Sequence, residues 1–378
     1  MVGQSSYGYP APWSLPHSDA SARPFPVKIA VVGCGAVGSY YGARLARAGH
    51  KVHFLLRSDY EAVRRNGVRI RSTEGAFEVR PRCARQPEEI GPADLVLIGL
   101  KTTANDQFPR LLPPLVGPGT AVLTLQNGLG NEEQLARLFP GDQILGGLCF
   151  VCLNRIAPGI IRHIGYGQVA LGEFGRPPEP RTHDLAGRFN EADVPCSVTD
   201  NLARAHWEKL VWNIPFNGLG VAGAAGFDAL VRLGSGAWPE PGRRRNPPAH
   251  SEAGENSHRP TPATVVEAYN PAAGKLPRCL TADILLADAR WARLVRELML
   301  EVIAAARALG HDVPDAFAEE QIARTRTMGA YKASTLIDFE RGQPLEWAGL
   351  FQEPLRQAAT AGVATPRLAA LCAVLRTL

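Results

Sequence analysis

The stretch that decides the fold is Lys28-Ile29-Ala30-Val31-Val32-Gly33-Cys34-Gly35-Ala36-Val37-Gly38, in which an apolar run leads directly into a glycine-rich segment. The apolar run is rich in β-branched residues, which is typical of a buried strand in a parallel sheet. The glycine-rich segment fits G-x-G-x-x-G: Gly33 permits a tight turn, Gly35 lets a diphosphate approach the backbone, and Gly38 lets helix pack against strand. Because a helix N-terminus also offers unpaired amides to an anion, the stretch predicts a dinucleotide-binding βαβ unit. The predicted cofactor contacts in it are Gly33, Cys34, Gly35, Ala36, Val37 and Gly38.

The end of the second strand is where such a unit distinguishes NAD from NADP. A helix is predicted from about residue 36 to 48, with Gly49 suited to the position after its end, and 51–56 form the second strand. Arg57 follows this strand and its guanidinium is suited to a 2′-phosphate, whereas Asp59 is a competing candidate for a ribose contact. Arg57 is otherwise interpreted as a solvated surface charge. We expect NADP(H) as the cofactor.

Strands and helices continue to alternate along the first half of the chain. Buried strands are predicted at 94–100 and 121–125, and two extended runs within 145–174 are predicted to form a mixed or antiparallel edge of the sheet. The pattern then changes to long amphipathic helices, including 203–219 and 288–309. The fold class predicted is therefore α/β plus all-α, with a Rossmann-type domain followed by a helical domain.

The composition shifts along the chain also indicate domain boundaries. The NADP-binding domain is placed at 27–200 and a helical substrate-binding and catalytic domain at 201–378. Residues 1–26 form a predicted disordered tail. Residues 234–279 are crowded with Pro, Gly, Arg, Ser, Asn and His, and too few apolar residues are present to offset the ordering entropy. They are predicted to be a disordered insertion, with a flexible partner-binding loop as the alternative.

The overall composition excludes several classes of protein. With 45% hydrophobic and 20% charged residues, the chain of 378 residues is ordinary for a soluble protein and long enough for two domains. The net charge of +5 is dispersed, so no nucleic-acid partner is expected. No apolar run approaches the ~20 residues that span a bilayer, so no membrane association is expected. The seven cysteines, which include Cys149 and Cys152, are expected to be reduced, as in a cytoplasmic protein, and to hold no metal.

Two polar residues follow buried strands, where ligand sites in α/β sheets cluster. Lys101 follows the strand at 94–100, and Asn127 follows the strand at 121–125 within the turn Gln126-Asn127-Gly128. The alternative interpretations are a surface cation and a turn residue. Their positions favour a ligand-binding role for both.

A polar stripe lies within the first long helix of the second domain. Lys209, Asn213 and Asn217 are spaced four residues apart and share one helix face, with mainly apolar residues between them. Buried amides without partners are costly, which favours a ligand here, although an internally satisfied core network would show the same spacing.

Ser334 and Glu346 lie on either side of a predicted junction between two helices, the first of which ends near Gly342. A hydroxyl and a carboxylate from adjoining helices could converge on one ligand. Two separate helix caps would give the same pattern.

Taken together, these segments resemble ketopantoate reductases (2-dehydropantoate 2-reductases) over roughly residues 27–233 and 280–378. The family pattern combines a glycine-rich opening, a lysine after the third-strand region, a Q-N-G turn, a K-x-x-x-N-x-x-x-N helix and a late S-x-L-x-D…E segment. In this chain the corresponding segments are Gly33–Gly38, Lys101, Gln126–Gly128, Lys209–Asn217 and Ser334–Glu346. The chain departs from the pattern before Val27 and at 234–279, where family members usually have a short connection.

The resemblance implies NADPH-dependent reduction of 2-dehydropantoate to pantoate, within pantothenate and coenzyme A biosynthesis. Lys209 would be the general acid that protonates the alkoxide after hydride transfer. Glu346 would accept a hydrogen bond from the substrate hydroxyl, and Ser334 would contact the substrate carboxylate. Asn213 and Asn217 would orient the substrate and the lysine.

On the cofactor side, the resemblance implies that Asn127 contacts both cofactor and substrate, while Arg57 and Lys101 serve the adenosine phosphate. The expected partner is therefore a small 2-keto acid, and a homodimer is compatible with the sequence without being encoded in it. Two alternatives stay open: a related NAD(P)-dependent reductase of another 2-keto acid or opine-type substrate, and an NADP-binding sensor without turnover.

Overall fold

The computed structural model describes residues 27–234 and 279–378. The predicted tail at 1–26, and the predicted insertion at 234–279 apart from its two end residues, lie outside the described residues. The chain forms two compact units: unit 1 holds residues up to 126 together with 131–202, and unit 2 holds 127–130 together with 203–378. Within the described ranges, every helix is too short or too polar to cross a membrane.

Unit 1 is built on one sheet, to which ten strands contribute in the part of the chain that the structure describes. The strands are β1 (Lys28–Val32), β2 (Lys51–Leu55), β3 (Val68–Ser72), β4 (Phe77–Val79), β5 (Arg82–Ala84), β6 (Leu95–Ile98), β7 (Ala121–Thr124), β8 (Ile144–Ala157), β9 (Ile160–Glu173) and β10 (Cys196–Val198). Their spatial order is β4-β3-β9-β8-β7-β6-β1-β2-β5, and β10 pairs with β9.

Strand β1 occupies the middle of the parallel part of this sheet. It pairs in parallel with β2 on one side and with β6 on the other. Val31 and Val32 are both buried but belong to different apolar clusters, one on each face of the sheet. This two-sided burial explains the continuous apolar run in the sequence, because a central parallel strand has no solvent-facing side.

The predicted βαβ unit is confirmed. The helices of unit 1 are α1 (Ala36–Arg47), α2 (Tyr60–Asn66), α3 (Phe108–Leu111), α4 (Asn131–Leu135) and α5 (Pro180–Glu191). Gly49, two residues beyond the end of α1, has φ +96°, a backbone conformation that favours glycine over other residues. The Rossmann-type domain expected from the sequence is therefore present.

The two long strands β8 and β9 form the predicted antiparallel pair, but the prediction that they lie at the edge of the sheet is wrong. β8 pairs with β7 in parallel, and β9 pairs in parallel with β3 and with β10. The hairpin thus lies inside the sheet. Local sequence could not reveal this, because β3 is separated from β9 by about 90 residues and alternation alone does not identify a strand's second neighbour.

Unit 2 is helical, as the sequence predicts. Its helices within the described residues are α6 (Leu202–Ala222), α7 (Phe227–Gly234), α8 (Ala282–Ala287), α9 (Ala289–Ala308), α10 (Ala316–Arg326), α11 (Ser334–Glu340), α12 (Glu353–Thr360) and α13 (Pro366–Leu375). Helix α6 is buried along most of its length, and its Leu210, Val211 and Ile214 lie in the apolar core of the unit. A π-helical segment, Ala348–Gln352, precedes α12 and continues directly into it.

Residues 127–130 leave the sheet and join unit 2 through a close backbone contact. The Leu129 N–H donates to the Gly349 carbonyl oxygen at 3.0 Å. Gly128 has φ +84°, and a Cβ added to it would lie 2.3 Å from the Gly349 carbonyl carbon. Both the φ angle and the missing side chain are needed, so only glycine fits this position.

We predict that Gly128→Ala lowers the free energy of unfolding of unit 2 by roughly 2–5 kcal/mol, because backbone strain and overlap with Gly349 add together. Gly310→Ala is the matched control: Gly310 has φ +88°, but an added Cβ would meet nothing within 4 Å. The control should lose only about 1–2 kcal/mol.

Urea unfolding followed by tryptophan fluorescence measures this difference. All four tryptophans among the described residues, Trp207, Trp212, Trp291 and Trp347, belong to unit 2 and report on it. Equal losses in the two variants would contradict the steric role given to the Gly128–Gly349 contact.

Candidate functional site

The glycine-rich segment has the geometry that a dinucleotide diphosphate requires. Gly33 has φ +92°, and a Cβ there would lie 2.3 Å from the Leu100 nitrogen. A Cβ on Gly38 would lie 2.3 Å from the Gly33 carbonyl oxygen, so helix α1 packs directly against the turn. A Cβ on Gly35, by contrast, would meet no atom within 4 Å. Two glycines are therefore required by packing, and the third leaves space at the helix N-terminus.

The N-terminus of helix α1 is suited to an anion. Its N-cap residue is Gly35, no side chain caps it, and its first turn contains no acidic residue. The helix is 12 residues long, so its first amides and its dipole favour a phosphate at this end. These residues fit the diphosphate of a nicotinamide dinucleotide.

Cys34, between the first two glycines, points its side chain into the protein. Its thiol donates to the carbonyl oxygens of Val31 and Leu55, each at 3.5 Å. Burial raises the pKa of the Cys34 thiol well above its usual range, so the thiol stays protonated. Because its side chain points into the protein, Cys34 can contact the predicted cofactor only through its backbone.

The two residues that compete for the cofactor ribose have different surroundings. The Arg57 side chain is exposed after β2, and within the described ranges it forms no ion pair. Asp59 is buried, and both of its carboxylate oxygens accept hydrogen bonds from Arg155, at 2.6 and 2.7 Å. The Gly159 N–H also donates to Asp59, at 3.3 Å.

Asp59 is therefore a structural residue that ties the start of α2 to the β8–β9 turn. Burial alone would raise its pKa, but hydrogen bonds from Arg155, Ser58 and Gly159 hold that pKa below its usual range. Its oxygens accept hydrogen bonds from protein donors, which disfavours the competing ribose contact.

Lys101 and Gln126 lie at the carboxyl ends of the adjacent strands β6 and β7. Lys101 is exposed and begins a 3-10 turn over Thr102–Gln107. Gln126 is buried, and its amide nitrogen donates to Asn105 Oδ1 at 2.7 Å. Asn105 was not singled out from the sequence, because a lone polar residue in a short turn carries no recognisable pattern.

In unit 2, the structure brings Lys209 and Asn127 together. Lys209 is half-buried on helix α6, and its Nζ donates to Asn127 Oδ1 at 2.9 Å. Residue 127 reaches this position because the neighbouring Gly128 packs against Gly349. Two sequence motifs that are 82 residues apart thus form one contact.

The polar stripe of helix α6 continues from Asn213 to Ser334. Asn217 Nδ2 donates to Asn213 Oδ1 at 3.5 Å, and Asn217 Oδ1 accepts from the Ser334 hydroxyl at 3.3 Å. The same oxygen accepts from the Thr335 backbone N–H at 3.0 Å. Asn217 therefore caps helix α11 from a distance, since Ala333 at the N-cap has no side-chain acceptor.

Glu346 is buried and precedes the π-helical segment Ala348–Gln352. The Glu346 carbonyl oxygen accepts from the Leu350 N–H at 3.3 Å, so the second helix of the predicted junction begins at this residue. Gly342 follows the end of helix α11 with φ +63°, as expected. π-helical turns often occur at functional sites. Here the segment also contains Gly349, the residue that contacts Gly128.

Comparisons with known proteins place the chain in a family. Residues 29–176 match the family description "Ketopantoate reductase PanE/ApbA", and residues 265–378 match "Ketopantoate reductase PanE/ApbA C terminal". A 2-dehydropantoate 2-reductase from Nostoc sp. (strain PCC 7120 / SAG 25.82 / UTEX 2576) is 34% identical over 347 residues, which cover 90% of this chain and 92% of the relative.

Solved structures are similar in fold along most of the chain. The crystal structure of 2-dehydropantoate 2-reductase from Geobacter metallireducens GS-15 has a TM-score of 0.75 and 42% sequence identity, covering 92% of this chain and 99% of its own. The enzyme of the same description from Methylococcus capsulatus has a TM-score of 0.73 and 32% identity, covering 92% and 96%. Because sequence and fold agree over both units, the chain belongs to the ketopantoate reductase family, whose members are oxidoreductases acting on CH–OH groups.

Proposed function

We propose that this chain reduces 2-dehydropantoate to pantoate with NADPH, and that Lys209 supplies the proton. The observation that carries the proposal is the contact of the Lys209 ammonium with the Asn127 side chain, 2.9 Å apart. An ammonium held at a fixed position can stabilise an alkoxide and protonate it, which a binding protein without turnover does not require.

The direction of the hydrogen bonds around Lys209 supports a substrate rich in acceptor oxygens. The Thr335 N–H can only donate, so the atom of Asn217 facing it is Oδ1, and Asn217 Nδ2 faces Asn213 Oδ1. The Asn213 oxygen is then engaged by Asn217, and its amide nitrogen remains a donor. By the same logic Asn127 Oδ1 faces the ammonium and its nitrogen is a donor. These donors suit the carboxylate and keto oxygens of a 2-keto acid.

Glu346 supplies the complementary acceptor. When ionised, a carboxylate only accepts hydrogen bonds, so it favours a substrate that carries a hydroxyl in addition to its keto acid group. 2-Dehydropantoate has such a hydroxyl at its far end. This combination distinguishes it from simple 2-keto acids, and its product pantoate belongs to pantothenate and coenzyme A biosynthesis.

The proposed reaction is a hydride transfer to the keto carbon followed by protonation of the oxygen. NADPH bound at the glycine-rich segment would supply a hydride to the keto carbon, and the carbonyl π electrons move to the oxygen. Lys209 transfers a proton to that oxygen to form the alcohol, and solvent later returns a proton to the lysine. Asn127 holds the ammonium in place, and Ser334 and Asn213 orient the substrate carboxylate.

Preference for NADPH over NADH is proposed from the surroundings of Arg57 and Asp59. The acidic residue that could select NAD is engaged by Arg155, whereas the Arg57 guanidinium is exposed at the end of β2. A guanidinium can bind the 2′-phosphate through charge-assisted hydrogen bonds. Lys101 would provide a second cation near the phosphate groups.

We predict that Lys209→Ala lowers kcat for 2-dehydropantoate by roughly 10²- to 10⁴-fold, since it removes the proton donor. The measurement is NADPH oxidation at 340 nm with saturating substrates. Lys332→Ala is the control, because Lys332 is an exposed lysine paired with Glu340, and its kcat should match that of the wild type. Full activity of Lys209→Ala would rule out the proton-donor role.

Arg57→Ala should raise KM for NADPH by roughly 10- to 100-fold and leave KM for NADH unchanged, because only NADPH carries the 2′-phosphate. Both constants are measured with the same keto acid. Arg71→Ala, which removes another exposed arginine of unit 1, controls for the general loss of positive charge. Equal KM changes for the two cofactors would exclude a 2′-phosphate contact.

Glu346→Ala tests the substrate assignment. The wild type should prefer 2-dehydropantoate over 3,3-dimethyl-2-oxobutanoate, which lacks only the hydroxyl, by about 10²-fold or more in kcat/KM. Removing the acceptor should lower kcat/KM for 2-dehydropantoate and leave the deoxy analogue nearly unaffected. A proportional loss with both compounds would show that Glu346 does not recognise the hydroxyl and would reopen the choice among 2-keto acids.

A further inference from the structure

The loop 127–130 has a clasp at its base that no sequence motif identifies. The loop belongs to unit 2, while the residues on either side of it, Gln126 and Asn131, belong to unit 1. The Asn105 side chain forms hydrogen bonds with both of these residues. Gln126 Nε2 donates to Asn105 Oδ1 at 2.7 Å, and Asn105 Nδ2 donates to Asn131 Oδ1 at 3.0 Å. All three side chains are buried. Asn105 therefore fixes the separation between the two ends of the loop.

These hydrogen bonds continue to Thr124 on strand β7. Gln126 Oε1 accepts from the Thr124 hydroxyl at 2.9 Å, while Gln126 Nε2 faces Asn105. The chain of donors then runs in one direction from Thr124 to Asn131. Because these groups are shielded from water, each hydrogen bond is strong and each lost partner is costly.

We infer that Asn105 is a positioning residue for the Lys209 ammonium and acts through Asn127. Asn127 directly follows the clasped Gln126, and its Oδ1 accepts from Lys209 Nζ at 2.9 Å. A four-residue loop fixed at both ends has few backbone states, so the clasp limits where this oxygen can lie. The inference rests on the proposed role of Lys209. Displacement of a catalytic group by about 1 Å can reduce a rate by 10²-fold, which sets the scale of the effect.

A purely structural role for Asn105 makes a different prediction, and Asn190 provides the comparison. Asn190 is also in unit 1 and forms three hydrogen bonds, to Ala186 O, to Cys196 O and from Cys196 N, at 2.9–3.0 Å. It lies at the end of helix α5, away from the 127–130 loop in the sequence. Loss of this amide should lower stability and leave the catalytic rate unchanged.

The test compares Asn105→Leu with Asn190→Leu in the full chain, using NADPH and 2-dehydropantoate. Asn105→Leu should lower kcat by roughly 10- to 100-fold and move the high-pH limb of the kcat profile to lower pH, because the ammonium loses its fixed acceptor. Asn190→Leu should change neither. If Asn105→Leu does not fold, Asn105→Ser breaks the same clasp with a smaller polar side chain.

A double-mutant cycle with Asn127→Ala decides whether the effect passes through the loop. If Asn105 acts through Asn127, adding Asn105→Leu to Asn127→Ala should cause little further loss of kcat. If the losses of kcat from Asn105→Leu and Asn127→Ala multiply, or if Asn105→Leu leaves the pH profile unchanged, the inference is overturned even though Lys209→Ala still lowers kcat as predicted. Full activity of Lys209→Ala would instead overturn the proposed function, and this inference with it.

Discussion

The contact between Lys209 and Asn127 depends on the packing of residues 127–130 within unit 2. The hydrogen bond from Lys209 Nζ to Asn127 Oδ1 can form only if the chain leaves strand β7, reaches Gly349 and returns to begin helix α4. Gly128 makes that path possible, since any Cβ there would overlap the backbone of Gly349. The Q-N-G turn therefore has two roles: Asn127 supplies the amide that contacts Lys209, and Gly128 allows the backbone contact with Gly349.

The same use of close backbone packing recurs at the glycine-rich segment of unit 1. Gly33 and Gly38 are fixed by contacts that leave no room for a side chain, whereas Gly35 borders open space. The three glycines therefore have different roles. Gly33 and Gly38 hold the turn against helix α1, and Gly35 leaves room for a ligand. The uncapped, acid-free first turn of α1 then supplies the attraction for phosphate.

Local patterns predicted the elements that depend on local constraints. The strand and helix around the glycine motif, the change to helices after residue 201 and the end of α11 at Gly342 all follow from periodicity and turn chemistry. What the sequence could not predict are partnerships across long separations, such as the parallel pairing of β3 with β9 and the bonds from Asn105 to residues 21 and 26 positions away. Spacing placed Lys209, Asn213 and Asn217 on one face but could not show that Asn217 caps another helix.

That cap gives Asn217 a structural role in addition to its proposed role in orienting the substrate. Its oxygen accepts from Thr335 N–H and from Ser334, so the amide that holds the hydroxyl proposed to contact the substrate also satisfies the first turn of α11. Loss of a helix cap costs about 1 kcal/mol, and loss of the same amide would release Ser334 and Asn213 as well. Under the proposed function, a substitution at Asn217 would therefore change folding and substrate orientation at once. The proposed roles of Lys209 and Glu346 do not depend on that cap, so single substitutions can test them separately from stability.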